Sequence, residues 1–494
     1  MIRKIIYVIV ALVVVLASVV VIRTARFTSI QMQVDPIEKV AIDEERVAAH
    51  LARAIQLRTI SYRDPAKFDR KEFIGLHSHL ERTSPKVHAT LKREVVGDFS
   101  ILYTWEGSDP DLKPILLMGH MDVVPVAPGT EDKWTYPPFG GRIADGYIWG
   151  RGTMDDKASV LGILEAVEML LAEGFQPRRT VYLAFGHDEE VGGLQGASKI
   201  AALLRSRRVE LEFTLDEGFG ITDGIWPMVT APVAFIGIAE KGYLTLRLNV
   251  ETDKTRGGCG HSSMPPSHTN IGILSIAIQK LEANPLPARI TEPMRQLFEY
   301  VGPEMDLTGR IALANLWLFE RMFKGIMARR PSTNALIRTT TAVTMIKGGN
   351  KENALPCEAE AVVNFRALPG ESNDSVIDHV RTTINNPRIK IRRLEPSAEP
   401  SPLSDAASAS FKLLQQTIRQ VFPDVVVAPN LTIGGTDSKH YASLSKEVYR
   451  FLPLWLKGKE KDTYRIHGTN ERIAVENYAD IVRFYVQFIR NTNE

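Results

Sequence analysis

The chain has 494 residues, 44% hydrophobic and 24% charged, which is room for two or three cores, since one core rarely grows past about 250–300 residues. A formal net charge of +2, with no basic stripe carrying interleaved aromatics, excludes a nucleic-acid binder. Its two cysteines, Cys259 and Cys357, exclude a disulfide scaffold and a cysteine-ligated zinc cluster; far apart in sequence, they are expected to stay unpaired, a single bridge being the lesser alternative.

After Arg3-Lys4 the chain runs for eighteen uncharged residues, Ile5 to Ile22, and then meets Arg23 and Arg26. At about 1.5 Å per residue a helix of that length just crosses a hydrocarbon core of about 30 Å. A cleaved signal peptide competes, but its apolar region is normally only about 7–15 residues and ends at a small-residue cleavage site. Here valines and isoleucine continue past Ala17-Ser18, so residues 1–26 read as a membrane anchor. The flanking positive charges leave orientation open; an N-terminal anchor suits a catalytic part on the exported side, whether periplasmic, lumenal or extracellular. Residues 27 to about 45 lack a clear period and read as a stalk.

Strand and helix patterns then alternate. Pro114-Ile-Leu-Leu-Met118 and Thr180-Val-Tyr-Leu-Ala-Phe185 are short apolar runs of the buried-strand type. Lys157 to Glu173 carries apolar residues at helical spacing and stops at Gly174; Gln195–Leu204 is another helix, and Val209–Leu215 alternates like a strand. This order predicts an α/β domain around a mostly parallel sheet. The texture changes near Ile236: Tyr243–Val250, Thr339–Met345 and Ala359–Arg366 alternate as half-exposed antiparallel strands do, with helices around Ile271–Leu281 and Ile311–Arg329. Residues 27–236 and 398–494 are therefore read as two parts of one catalytic domain, and 237–397 as an inserted α+β domain.

Ligands gather at the carboxyl ends of strands in open α/β sheets. Gly119-His120-Met-Asp122 follows the first strand, Gly150-Arg-Gly-Thr-Met-Asp155-Asp156-Lys157 follows Tyr147–Trp149, Asp188-Glu189-Glu190 follows Phe185, and Asp216-Glu217 follows Leu215. Four successive strand ends each carry an acid or a histidine. A pair of divalent cations would make such clustered carboxylates tolerable. His/Asp/Glu ligation without cysteine suits zinc, or cobalt or manganese in the same geometry, and two-metal sites need a bridging carboxylate.

His120-Met-Asp122, the GRGTMDDK stretch, DEEVGG, LDEG and GHSSMP together resemble the co-catalytic zinc metallopeptidases that include carboxypeptidase S, aminoacylase and bacterial glutamate carboxypeptidase. The tract from Trp134 through PPFGG and DGYIWGRGTMDDK is most similar to the carboxypeptidase S and N-fatty-acyl-amino-acid synthase/hydrolase branch. The resemblance implies that His120, Asp155, Glu190, Asp216 and His467 bind two metal ions. Asp155 would bridge them, with a cis Asp155-Asp156 peptide. Glu217 competes with Asp216 and His440 with His467, Asp216 and His467 being preferred. Asp122 would orient His120, and Glu189 would be the general base. His261 would steady the oxyanion, in relatives often from a neighbouring subunit, since 237–397 resembles the lid and dimerisation domain of a homodimer. Asn364 and Arg366 would grip a substrate carboxylate, and Thr436, Asp437 and Ser438 would wall the pocket. His50, His77, His79, His88, His268 and His379 lack acidic company and are assigned to the surface; His187 would support its loop.

The expected activity is hydrolysis of the amide bond to a C-terminal amino acid, as a membrane-attached carboxypeptidase on short peptides. An N-acyl or fatty-acyl amino acid hydrolase/synthase needs the same site. A silent receptor or scaffold on the same fold would have lost ligands or the base, and every expected position is filled.

Overall fold

The structure is a computed structural model describing residues 1–225, 229–252 and 259–493. The short apolar runs become β3 (Ile115–His120) and β4 (Val181–Gly186), which share one sheet with β1 (Lys92–Val96), β2 (Ser100–Trp105), β5 (Thr214–Asp216), β6 (Ile221–Asp223) and β7 (Val233–Glu240). The alternating segments become β8 (Tyr243–Glu251), β9 (Thr340–Gly348), β10 (Glu358–Arg366) and β11 (Ile389–Ala398), a separate antiparallel sheet in the order β9-β10-β8-β11. β12 (Val426–Thr432), β13 (Val448–Arg450) and β14 (Trp455–Lys457) then return to the first sheet, whose order is β1-β2-β4-β3-β5-β13-β7-β6-β14 with β12 paired to β7.

That sheet is mixed rather than mostly parallel. β4, β3, β5 and β13 run parallel, but β2 is antiparallel to both β1 and β4, and β7 is antiparallel to both β13 and β6. The β1–β2 connection is only Gly97–Phe99, and two strands joined so tightly can pair only as a hairpin. Alternate residues of the central strands serve two cores. Ile101, Tyr103, Ile115, Leu117, Leu183 and Phe185 face helices Glu44–Ile55, Lys157–Ala172 and Val475–Asn491, while Leu102, Leu116, Met118 and Ala184 face helix Ala197–Ser206. Burial on both faces is why these strands read as unbroken apolar runs.

Residues 237–397, read as one inserted unit, divide between two cores. β8, β10 and helices Asn270–Ala283 and Asn373–Ile384 share one core. Helix Glu292–Val301 instead places Met294, Leu297, Phe298 and Val301 against Phe235 of β7 and Val426 and Ala428 of β12. The helix expected over 311–329 is broken at Asn315 into Leu307–Ala314 and Leu316–Met327. Cys259 and Cys357 form a disulfide with Cα atoms 4.8 Å apart, against the expectation of unpaired thiols. The stretch from 27 to 43 lacks helix and strand but is pinned to the body rather than free: the Gln31 amide donates to Val427 O and accepts from Val427 N, and Ile37 N donates to Gln420 O.

Candidate metal centre

Because β4, β3 and β5 are parallel neighbours, the residues that follow them emerge along one edge. His120 ends β3 opposite Gly186, the end of β4, and Leu117 pairs with Leu215 of β5. The buried His120 ring keeps Nδ1 3.0 Å from Asp122 O and 3.3 Å from Asp122 Oδ1. Its Nε2 lies 2.9 Å from Asp155 Oδ1 and 3.3 Å from Glu217 Oε1. Asp122 also accepts the Glu189 and Glu190 backbone N–H groups, one on each oxygen, both at 3.2 Å. One carboxylate thus orients the histidine and holds the loop carrying the two glutamates.

A second short sheet brings in the late loop. Strand Arg472–Ala474 pairs antiparallel with Tyr147–Trp149, which sets residues 464–471 beside the 150–156 turn. Glu471, fully buried, ion-pairs with buried Arg151. Its other oxygen accepts N–H groups from Gly152 and Met154, each at 2.9 Å, and from Asp155 at 3.3 Å. The Asp155-Asp156 peptide is cis. His467, at φ +58°, places Nε2 2.9 Å from Asp155 Oδ2 and 3.3 Å from Glu190 Oε1.

Asp155 therefore turns one oxygen to each histidine, and each histidine has a second carboxylate of its own: Glu217 beside His120, Glu190 beside His467. Two imidazoles and three carboxylates without a thiolate are a donor set for two borderline divalent cations sharing a bridge. Glu190 Oε1 fits that reading: it is buried, and among the described residues it accepts no well-formed hydrogen bond. Asp156 is spoken for, since it accepts His120 N at 3.1 Å and the Ser159 hydroxyl.

The charges interlock. Burial pushes the Glu189 carboxyl well above the carboxylate range; His120 opposes this, and Asp437, Glu217 and Glu190 add to it. Burial and the Asp155 charge push Glu217 up to about 7. Burial works against Asp155 too, yet the His120 and His467 imidazoles hold it well below the usual range. The Asp155 and Glu190 carboxylates beside His467 push its imidazole up to about 10. The acids here outnumber the imidazoles, and added positive charge relieves their repulsion.

Asp216, preferred from the sequence as a ligand, turns away from this cluster. Its Oδ1 accepts Glu217 N at 2.9 Å and its Oδ2 accepts Ser438 N at 2.8 Å. Successive side chains at a strand end point to opposite sides, so Glu217 is the one that reaches His120. His440 also lies outside, with Nε2 3.1 Å from Gly192 O. Thr436, Asp437 and Ser438 are buried; Thr436 N and Oγ1 both donate to Glu240 Oε1, at 2.8 and 2.7 Å, whereas among the described residues neither Asp437 carboxylate oxygen has a hydrogen-bond partner.

In the smaller sheet, Asn364 donates to Thr245 Oγ1 at 3.0 Å. The Arg366 guanidinium stacks 4.7 Å from the Tyr243 ring centre and senses the charges of Glu189 and Glu240. Among the described residues no carboxylate lies within ion-pairing distance of it. His261 is exposed on the short strand Gly260–His261, its Nδ1 2.8 Å from Ser263 Oγ, and is not brought to the cluster within this chain. His187 is buried against Ser100 Oγ, at 2.6 Å, and supports its loop. His79, assigned to the surface, is buried instead, with Nε2 2.8 Å from His50 O. Glu471 has no signal in the sequence beyond its place in the tract that contains His467.

Residues 116–491 match peptidase family M20/M25/M40. The chain is 46% identical over 484 residues to a probable carboxypeptidase S-like protein of Dictyostelium discoideum, covering 96% of this chain and 91% of that one. It is 40% identical over 456 residues to an N-fatty-acyl-amino acid synthase/hydrolase of Danio rerio, covering 91% and 86%. The fold is that of an M20 family metallo-carboxypeptidase from Sulfolobus solfataricus, at TM-score 0.67 and 17% identity over 92% of this chain and all of the other. The chain belongs to peptidase family M20/M25/M40 and is a hydrolytic enzyme.

Proposed function

We propose that the chain is a di-metal carboxypeptidase, cleaving the amide bond between a short peptidyl group and a C-terminal amino acid. The observation that carries this reading is the Asp155 carboxylate, one oxygen facing His120 and the other His467. His120, Asp155 and Glu217 would hold one divalent ion and His467, Asp155 and Glu190 the other. Bound there, zinc, or cobalt or manganese, supplies Lewis acidity and lowers the pKa of water toward about 7.

The chain's own residues do the rest. Asp122 occupies His120 Nδ1 and so commits Nε2 to the centre. Glu189, half-buried beside these groups, takes the proton from the attacking water and returns it to the leaving amine. Arg366 offers a forked donor that has no carboxylate partner among the described residues, which suits the terminal carboxylate of a substrate. His261 would steady the developing oxyanion, contributed by a second copy across a homodimer; its exposure supports that role. The helix Ile2–Arg26 would anchor the enzyme in a membrane. The Cys259–Cys357 bridge supports a catalytic part in an oxidising, exported compartment.

Glu189→Gln is the test. It should keep two metal equivalents per chain while turnover falls by about 10²–10⁴-fold; a variant that turns over normally removes the assignment. A second reading, hydrolysis or synthesis of N-fatty-acyl amino acids, is favoured by 40% identity over 456 residues to an enzyme of that name. Rates on N-oleoyl amino acids against N-blocked dipeptides decide between the two.

A further inference from the structure

The helix Ile2–Arg26 does not stand clear of the body. Arg23 Nε donates to Ala314 O at 3.2 Å, and Asn315 Nδ2 donates to Thr24 Oγ1 at 3.1 Å and to Val20 O at 3.3 Å. Asn315 is also the N-cap of the helix Leu316–Met327, whose sequence is apolar on two sides. The inner side, Leu316, Phe323 and Met327, packs into the core around Phe298. The outer side leaves Trp317 at 53%, Leu318 at 40%, Met322 at 53% and Ile326 at 51% of full exposure, and Leu307 at the start of the preceding helix at 70%. Residues 318, 322 and 326 are spaced four apart and lie in one stripe. Apolar residues scattered singly on a surface need no explanation, but a continuous row rimmed by charge does. Over 305–330 there are five basic residues, Arg310, Arg321, Lys324, Arg329 and Arg330, against Asp306 and Glu320.

We propose that the outer face of Leu316–Met327 is a lipid-contacting surface, lying in the interface of the bilayer that the N-terminal helix spans. This rests on the membrane-anchor reading above. Three observations favour lipid over a second copy of the chain. The cap of this helix is bonded to Val20, inside the apolar span and about 6 Å along the helix axis from Thr24. That depth matches the roughly 5–10 Å to which interfacial helices sink. Tryptophan is the residue enriched at the headgroup level, and the basic excess complements anionic lipid. The consequence is that the enzyme is held to the membrane at two places, so its body has a fixed inclination.

The full chain, reconstituted in phosphatidylcholine/phosphatidylglycerol vesicles with brominated acyl chains, tests this through tryptophan emission of the wild type and Trp317→Phe. The expected result is quenching in the wild type that Trp317→Phe largely removes. Equal quenching of both proteins, with the chain still floating with the vesicles, overturns the proposal and leaves the anchor standing. A chain that fails to float overturns both. Unquenched Trp317 together with a Met322→Cys variant that cross-links into dimers assigns the face to a second copy and overturns the lipid assignment.

Discussion

Glu471 and Arg151 are both buried, at 0% and 1% exposure, and form an ion pair that also gathers three backbone N–H groups of the turn leading to Asp155. Glu471→Gln keeps the shape and removes the charge, leaving the Arg151 guanidinium buried without its counter-ion. Breaking a buried pair on one side costs about 3–5 kcal/mol, whereas removing both charges is often neutral. Stability by urea unfolding should therefore fall by about 3–5 kcal/mol in Glu471→Gln and largely recover in Arg151→Met/Glu471→Gln. Metal affinity should behave differently. In both variants the three N–H groups meet a neutral amide oxygen in place of a carboxylate, and weaker support of a ligand costs up to about 10–100-fold in affinity, or about 1.4–2.7 kcal/mol. Competition with a chromogenic chelator measures it. A double variant with wild-type metal affinity would refute the bracing role, and a single variant within about 1 kcal/mol of the wild type would refute the charge argument.

Three other outcomes follow from the geometry. Burial, reinforced by the Arg366 charge, pushes the Lys241 ammonium down to about 7, where its nitrogen donates to Ala335 O and Arg338 O. The unfolded chain holds that proton to about pH 10.4, so between about pH 7 and 10 the unfolded state binds more protons and stability rises with pH, by at most about 1.4 kcal/mol per unit. Urea midpoints at pH 7 and 9 should show the rise in the wild type and a smaller one in Lys241→Met. Gly193, at φ +70°, would put an added Cβ 2.0 Å from Asp437 Oδ1, while Gly174, at φ +75°, has nothing within 4 Å. Gly174→Ala should cost about 1–3 kcal/mol from backbone strain alone, and Gly193→Ala measurably more; equal thermal shifts would dismiss the contact. Non-reducing digestion and mass spectrometry should recover the Cys259 and Cys357 peptides joined, and Cys357→Ser should lower stability by about 2–4 kcal/mol.

Most of the candidate metal centre could be read from residue order, because a parallel sheet deposits its loops on one edge. His120, Asp155 and Glu190 each follow a short apolar run, and the chemistry needs no further local signal. What was hidden depends on register and on partners distant in sequence. Asp216 and Glu217 are adjacent acids, and only the end of β5 and the Ser438 N–H decide which faces His120. Glu471 gains its role from the pairing of Arg472 with Trp149, more than three hundred residues apart in the chain. The disulfide joins cysteines 98 residues apart. The helix Glu292–Val301 announces an apolar face but not which sheet receives it. Asn315 breaks the 311–329 pattern because its side chain is drawn to Val20 and Thr24.

The Gln31 side chain has a consequence for how the enzyme is handled outside a membrane. β12 has β7 as its sheet neighbour, and in a parallel ladder alternate residues address opposite sides, so Val427 turns both its N–H and its C=O outward, where the Gln31 amide meets both. A single glutamine thus plugs a strand margin that would otherwise be a template for another chain. A shortened protein that starts ahead of Gln31 keeps the plug, whereas one that starts just after it bares the Val427 amide and invites strand-to-strand aggregation.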